Sequence, residues 1–123
     1  MLNAAAAWIA IGVGIIWGAL LGLGFERDAW LGGYGSWRRR LLRLGHIACF
    51  GVAFLNLAFV ASRGALSPQS PVGLMSALML SGLIAMPAVC LASAFYPRLK
   101  PLFALPVVAL ALGAGLTAWG LLR

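Results

Sequence analysis

The residue types able to do chemistry in this chain are few. There is one histidine, His46, and two cysteines, Cys49 and Cys90; apart from Met1, the methionines are Met75, Met79 and Met86. His46 and Cys49 lie three apart, and Met86 and Cys90 four apart, so each pair shares one face of a helix. Imidazole, thiol and thioether are ligands soft enough for Cu(I), and His with Met ligates haem iron. His46, Cys49, Met86 and Cys90 are therefore the candidate metal ligands, with His46 and Met86 the candidate haem pair. Against this, Met packs readily into irregular apolar gaps and free Cys behaves as a small hydrophobe. No CxxC, HxxxH or paired-histidine spacing is present. The expectation is no cofactor, with haem or copper at these four residues as the alternative.

The elements that must position these residues follow from composition. Of 123 residues, 63% are hydrophobic and 9% charged, against about 25% charged in a soluble domain. That excludes an ordinary soluble domain and a disordered chain. Cutting at the charges leaves four apolar runs, at about residues 4–25, 44–62, 72–95 and 101–122, each long enough to cross a bilayer as a helix. None carries Asp, Glu, Lys or Arg, so buried helices of a soluble bundle, which need polar outer faces, are excluded. The runs do not alternate polar and apolar residues as barrel strands do. The expected fold is an all-α integral membrane protein of four transmembrane helices forming one domain. The first run, with no basic residue before it, does not read as a signal peptide.

The net charge of +7 sets the orientation. Arg27, Arg38, Arg39, Arg40 and Arg43 lie in the link between the first two runs, and Arg98 and Lys100 in the link between the last two. Only Arg63 and Arg123 fall on the other side. Basic residues in short loops stay in the cytoplasm, so both links are expected inside and both termini outside, in a bacterial inner membrane. With five of the nine basic residues in one link and none expected on a polar helix face, a nucleic-acid partner is not expected.

The first link combines Trp30, Tyr34 and Trp37 with arginines, a composition suited to the headgroup layer. It is expected to lie along the membrane surface. Trp30, Trp37, Arg38, Arg39, Arg40 and Arg43 are the candidates for docking anionic phospholipid or an acidic partner.

On the helices, Ala6, Ala10, Gly14, Gly18 and Gly22 repeat every four residues, marking a close helix contact. Asn56, well inside the second run, is expected to bond across to another helix. The two cysteines fall in the cytoplasmic half and are expected as free thiols.

With no Asp, Glu, Lys or Arg within a span, no acid–histidine–serine trio and no soluble substrate evident, an enzyme is not expected. The leading expectation is a structural or accessory subunit among other integral membrane subunits, in a respiratory or photosynthetic electron-transfer assembly. The alternatives are the haem or copper protein above and a small dimeric channel or transporter for a neutral solute, with Asn56 lining the path.

Overall fold

A computed structural model describes residues 1–123. The chain is all helical. Its four long helices are α1 (Leu2–Gly22), α2 (Trp37–Ser62), α3 (Val72–Phe95) and α4 (Ala104–Leu121), joined through short 3-10 turns at Trp30–Gly32, Arg63–Ala65 and Pro97–Phe103. All four are long and apolar enough to cross a membrane. The basic links between α1 and α2 and between α3 and α4 gather at one end of the molecule, termed the basic end below.

Helix α2 begins at Trp37, earlier than the apolar run at Leu44. Ser36 explains the difference. Its Oγ accepts a hydrogen bond from the Arg39 amide at 3.2 Å, capping a helix start. The same Oγ donates to the Leu31 carbonyl at 2.8 Å, fixing the incoming loop. Arg38, Arg39, Arg40 and Arg43 therefore stand on the first turns of α2, not in a surface-lying link; the expectation that no basic residue lies on a helix face is corrected. Charges ended the apolar run, but they do not end a helix, because Arg is a good helix former.

Proline marks boundaries here. Pro71 precedes α3, and Pro106 sits in the first turn of α4, where backbone amides have no helical partner anyway. Pro87 lies within α3, which continues through it to Phe95. It costs one backbone bond, that to the Leu83 carbonyl.

The two central helices are α2 and α3. Helix α1 packs along α2 and touches α3 only lightly, while α4 packs along α3. Each seam carries glycines that admit a larger neighbour. Between α1 and α2, a Cβ at Gly14 would lie 2.8 Å from the Phe50 ring, and one at Gly18 would lie 2.5 Å from the His46 ring. Between α2 and α3, a Cβ at Gly45 would lie 3.0 Å from the Cβ of Cys90, with the Trp17 ring of α1 at 2.6 Å. Between α3 and α4, Leu110 fills the space above Gly82, and Gly113 receives Leu78 and Met79. Lipid supplies little hydrophobic drive between helices, so this close packing is the main adhesive.

Not all of the α1 stripe takes part. Gly14 and Gly18 are covered, and Ala10 is partly buried against the Ala7, Val52, Ala53 and Leu83 cluster. A Cβ at Gly22 would meet nothing, because α1 ends there. The four-residue repeat gives the face but not the length of the contact.

Candidate functional site

The four candidate ligands begin from a shared register. Gly45 lies opposite Cys90, and Asn56 donates to the Met79 carbonyl at 3.1 Å. These pairs belong to one antiparallel register, which sets Cys49 level with Met86. His46 leaves this seam. Its Nδ1 donates to the Gly14 carbonyl on α1 at 2.9 Å, and its ring meets Phe50 edge-on at 5.2 Å. A carbonyl only accepts, so Nδ1 carries a proton. The approach is possible because Gly18, one turn beyond Gly14, has no side chain in the way. Cys49 and Cys90 are free and buried, and His46, Cys49 and Cys90 are not placed to hold a metal ion together. The imidazole is turned to α1, while Cys90 and Met86 sit on α3.

At the opposite end lies a polar network that ties three helices. Asn3, in the first turn of α1, donates from Nδ2 to Asn56 Oδ1 at 2.9 Å and to the Ser76 carbonyl at 3.3 Å. Ser76 Oγ on α3 donates to Asn3 Oδ1 at 2.6 Å. Asn56 Nδ2 donates to the carbonyls of Val52 at 3.0 Å and Met79 at 3.1 Å. Both side-chain amides use both N–H groups and accept through their oxygens, which makes the network complete. Asn56 is wholly buried and Asn3 nearly so. None of the larger cavities is lined by Asn56. Its amide is occupied with packing. Asn3 escapes a reading by apolar runs, since it falls just ahead of the first one; a polar residue two positions into a helix is the signal that finds it.

The basic end is built around Arg39, which is 3% exposed. The rings of Phe25, Trp30 and Tyr34 surround its guanidinium, with centroids 5.6, 5.5 and 5.2 Å away. The attraction is to the negative faces of the rings. The two acids, Glu26 and Asp28, are exposed and form no salt bridge with it. Arg43 takes the other side of Tyr34, 4.4 Å from the ring centre, and donates from Nη2 to the Tyr34 carbonyl at 3.3 Å. The loop reaches this position through three residues of positive φ, Leu31 at 56°, Gly32 at 87° and Gly33 at 92°. Two glycines carry that conformation without cost from a side chain. Trp30 thereby turns over Gly24 and packs against the Leu21, Leu41, Leu42 and Ala94 cluster.

Two further side chains of α2 close the end of α3, whose last carbonyls lack helical partners. Trp37 Nε1 donates to the Ser93 carbonyl at 3.3 Å, and Arg38 Nε to the Ala94 carbonyl at 3.4 Å. Arg38 also lies over the Phe95 ring at 5.4 Å, and Lys100 Nζ over the Trp37 ring at 4.0 Å. Arg40 and Arg38 are exposed. Ser93 Oγ is the one buried side-chain polar atom without a partner.

The light contact between α1 and α3 leaves a groove of about 410 Å³, walled by Ala10, Val13 and Trp17 on one side and Ile84, Pro87 and Leu91 on the other, with Cys49 in its lining. A second recess of about 350 Å³ shares Val13, Trp17 and Leu91 and adds Ile16 and Leu20.

An all-helical chain with four helices able to span a bilayer is of the multi-pass membrane class. No protein-family model, curated protein or solved structure matches it.

Proposed function

We propose that the chain is a structural or accessory subunit of a larger membrane protein complex. The observation that carries the reading is where the polar side chains of the helices are spent. Asn3, Asn56 and Ser76 satisfy one another and nearby carbonyls. His46 is bonded to Gly14, and Thr117 to the Gly113 carbonyl one turn back. The bonds between helices hold the bundle together, Thr117 back-bonds within α4, and the outer surface is left as the part available for work.

That surface has two features suited to assembly. The outward side of α4 exposes Ala111, Gly115 and Ala118, small residues that permit close approach of another helix. The basic end carries exposed Arg38, Arg40, Arg98 and Lys100, which suit an acidic partner face or an anionic leaflet. In this proposal the basic end is cytoplasmic and the termini lie outside, by the excess of Lys and Arg at that end. Respiratory and photosynthetic electron-transfer complexes of bacterial inner membranes are the class to search first, as assemblies that gather small peripheral subunits.

Purification from native membranes in mild detergent, followed by mass spectrometry of what accompanies the chain, tests the reading. Stoichiometric integral membrane partners support it; a lone, monodisperse monomer sinks it.

A further inference from the structure

The groove between α1 and α3 has an end, and the end is charged. Along α1 the two joined recesses run from Ala6 to Leu20, roughly 21 Å at 1.5 Å per residue. That exceeds one leaflet's depth, about half of a 30 Å hydrocarbon core. On α3 the groove face reaches Leu91, and Phe95 continues the same face one turn on. Arg38 lies on that continuation, its guanidinium 5.4 Å from the Phe95 ring centre and its Nε bonded to the Ala94 carbonyl at 3.4 Å. Both terminal nitrogens of Arg38 are left without a protein acceptor, and the residue is exposed. Lys100 adds a second cation nearby, held over the ring of Trp37, the neighbour of Arg38. No carboxylate neutralises either one.

A long apolar groove that opens beside an unpaired guanidinium has the form of an amphiphile with an apolar tail and an anionic head. The geometry points to a binding site for one anionic phospholipid, its acyl chain lying between α1 and α3 and its phosphate on Arg38. The phosphate is the group a guanidinium fork binds best, through two parallel N–H···O bonds. The two nitrogens left free on Arg38 match that demand, and Nε, already used on Ala94, holds the fork in place. A transmembrane helix of a partner fits less well: with side chains it is about 10 Å across, and it would leave the arginine without an anion. The site is separate from the small-residue face of α4, so a bound lipid does not compete with a helix docked on that face.

Native mass spectrometry of the full chain in mild detergent tests this, with phosphatidylglycerol or phosphatidylcholine added in turn. The wild type is expected to retain one phosphatidylglycerol and to prefer it over phosphatidylcholine by about tenfold: both offer a phosphodiester to Arg38, but the choline ammonium of the second cancels its net charge beside Arg38 and Lys100. Arg38→Gln is expected to remove the preference while leaving the weaker, tail-driven binding. Arg40→Gln, an exposed arginine with no contact to the groove face, is expected to leave the preference as it is. Ala88→Phe narrows the groove from its exposed wall without touching Arg38, and is expected to lower retention of both lipids. Equal retention of the two lipids by the wild type overturns the proposal. So does an Arg40→Gln loss as large as that of Arg38→Gln, which makes the effect general surface charge. Unchanged retention in Ala88→Phe, or release of a protein in place of a lipid, also overturns it. Arg38 caps α3, so a thermal melt accompanies each variant; should Arg38→Gln fail to fold, Ala88→Phe and the phosphatidylglycerol preference of the wild type decide the matter.

Discussion

Asn3 and Asn56, 53 residues apart in the chain, share a hydrogen bond of 2.9 Å inside the apolar region where α1, α2 and α3 meet. Asn3 completes its remaining bonds with Ser76 of α3, and Asn56 donates to the Met79 carbonyl of α3 and the Val52 carbonyl of its own helix. In hydrocarbon an unpaired amide is costly, so the two residues specify how the first three helices align.

Asn56→Leu is expected to lower stability by about 1–3 kcal/mol, since it strands one donor of Asn3 and frees the Met79 carbonyl. Asn3→Ala removes the partner from the other side. The double variant Asn3→Ala, Asn56→Leu is expected to lose less than the two single losses added together, by roughly 0.5–1.5 kcal/mol. Reversible unfolding in a mixed-micelle titration measures all three, and strict additivity counts against the network.

The α1–α2 seam makes a paired test. Gly18→Leu drives a side chain into the His46 ring and is expected to cost about 1–3 kcal/mol and to break the Nδ1 bond to Gly14. Gly22→Leu, where a Cβ meets nothing, is expected to stay within about 0.5 kcal/mol of the wild type. Thermal melts of the two variants should separate clearly. Equal melts would place the stripe against lipid along its whole length.

Arg39 anchors the loop between α1 and α2 by its three rings. Arg39→Lys keeps the charge but loses the flat guanidinium that stacks on aromatic faces. Amide hydrogen exchange across residues 24–36 is expected to quicken in Arg39→Lys and more so in Arg39→Leu, with little change within α3. A loop as protected in both variants as in the wild type would show that Trp30 and Tyr34 hold their places without it.

Ser93 Oγ is buried and unpartnered. Ser93→Ala removes a polar atom that gains nothing from burial, so it is expected to be neutral or stabilising by up to about 1 kcal/mol. A clear loss of stability would reveal a partner for this hydroxyl.

How far the sequence reaches is visible in individual residues. The four helices follow from uninterrupted apolar runs, because a span must be long and uncharged whatever surrounds it. The start of α2 at Trp37 does not follow from a rule that cuts at charges, although Ser36 carries the capping signal. Gly14 and Gly18 pack as their spacing suggests, while Gly22 does not, since where a helix ends relative to its neighbour is a property of the pair. The helix 2 bond expected of Asn56 is present, but its partner, Asn3, lies outside the run that was read as a span. His46 shows the limit most plainly. Spacing places it on the stripe with Cys49, yet the opening above Gly18 lets its ring bond the Gly14 carbonyl of α1.

The role proposed for this chain is to hold to other membrane subunits. Mild-detergent extraction from native membranes, with quantitative mass spectrometry of the intact particle, tests it most directly. The expected result is a particle larger than the 12.9 kDa chain, containing other integral membrane proteins in fixed ratio to it. A chain that leaves the membrane alone, monodisperse and as stable as it was before extraction, would contradict the claim.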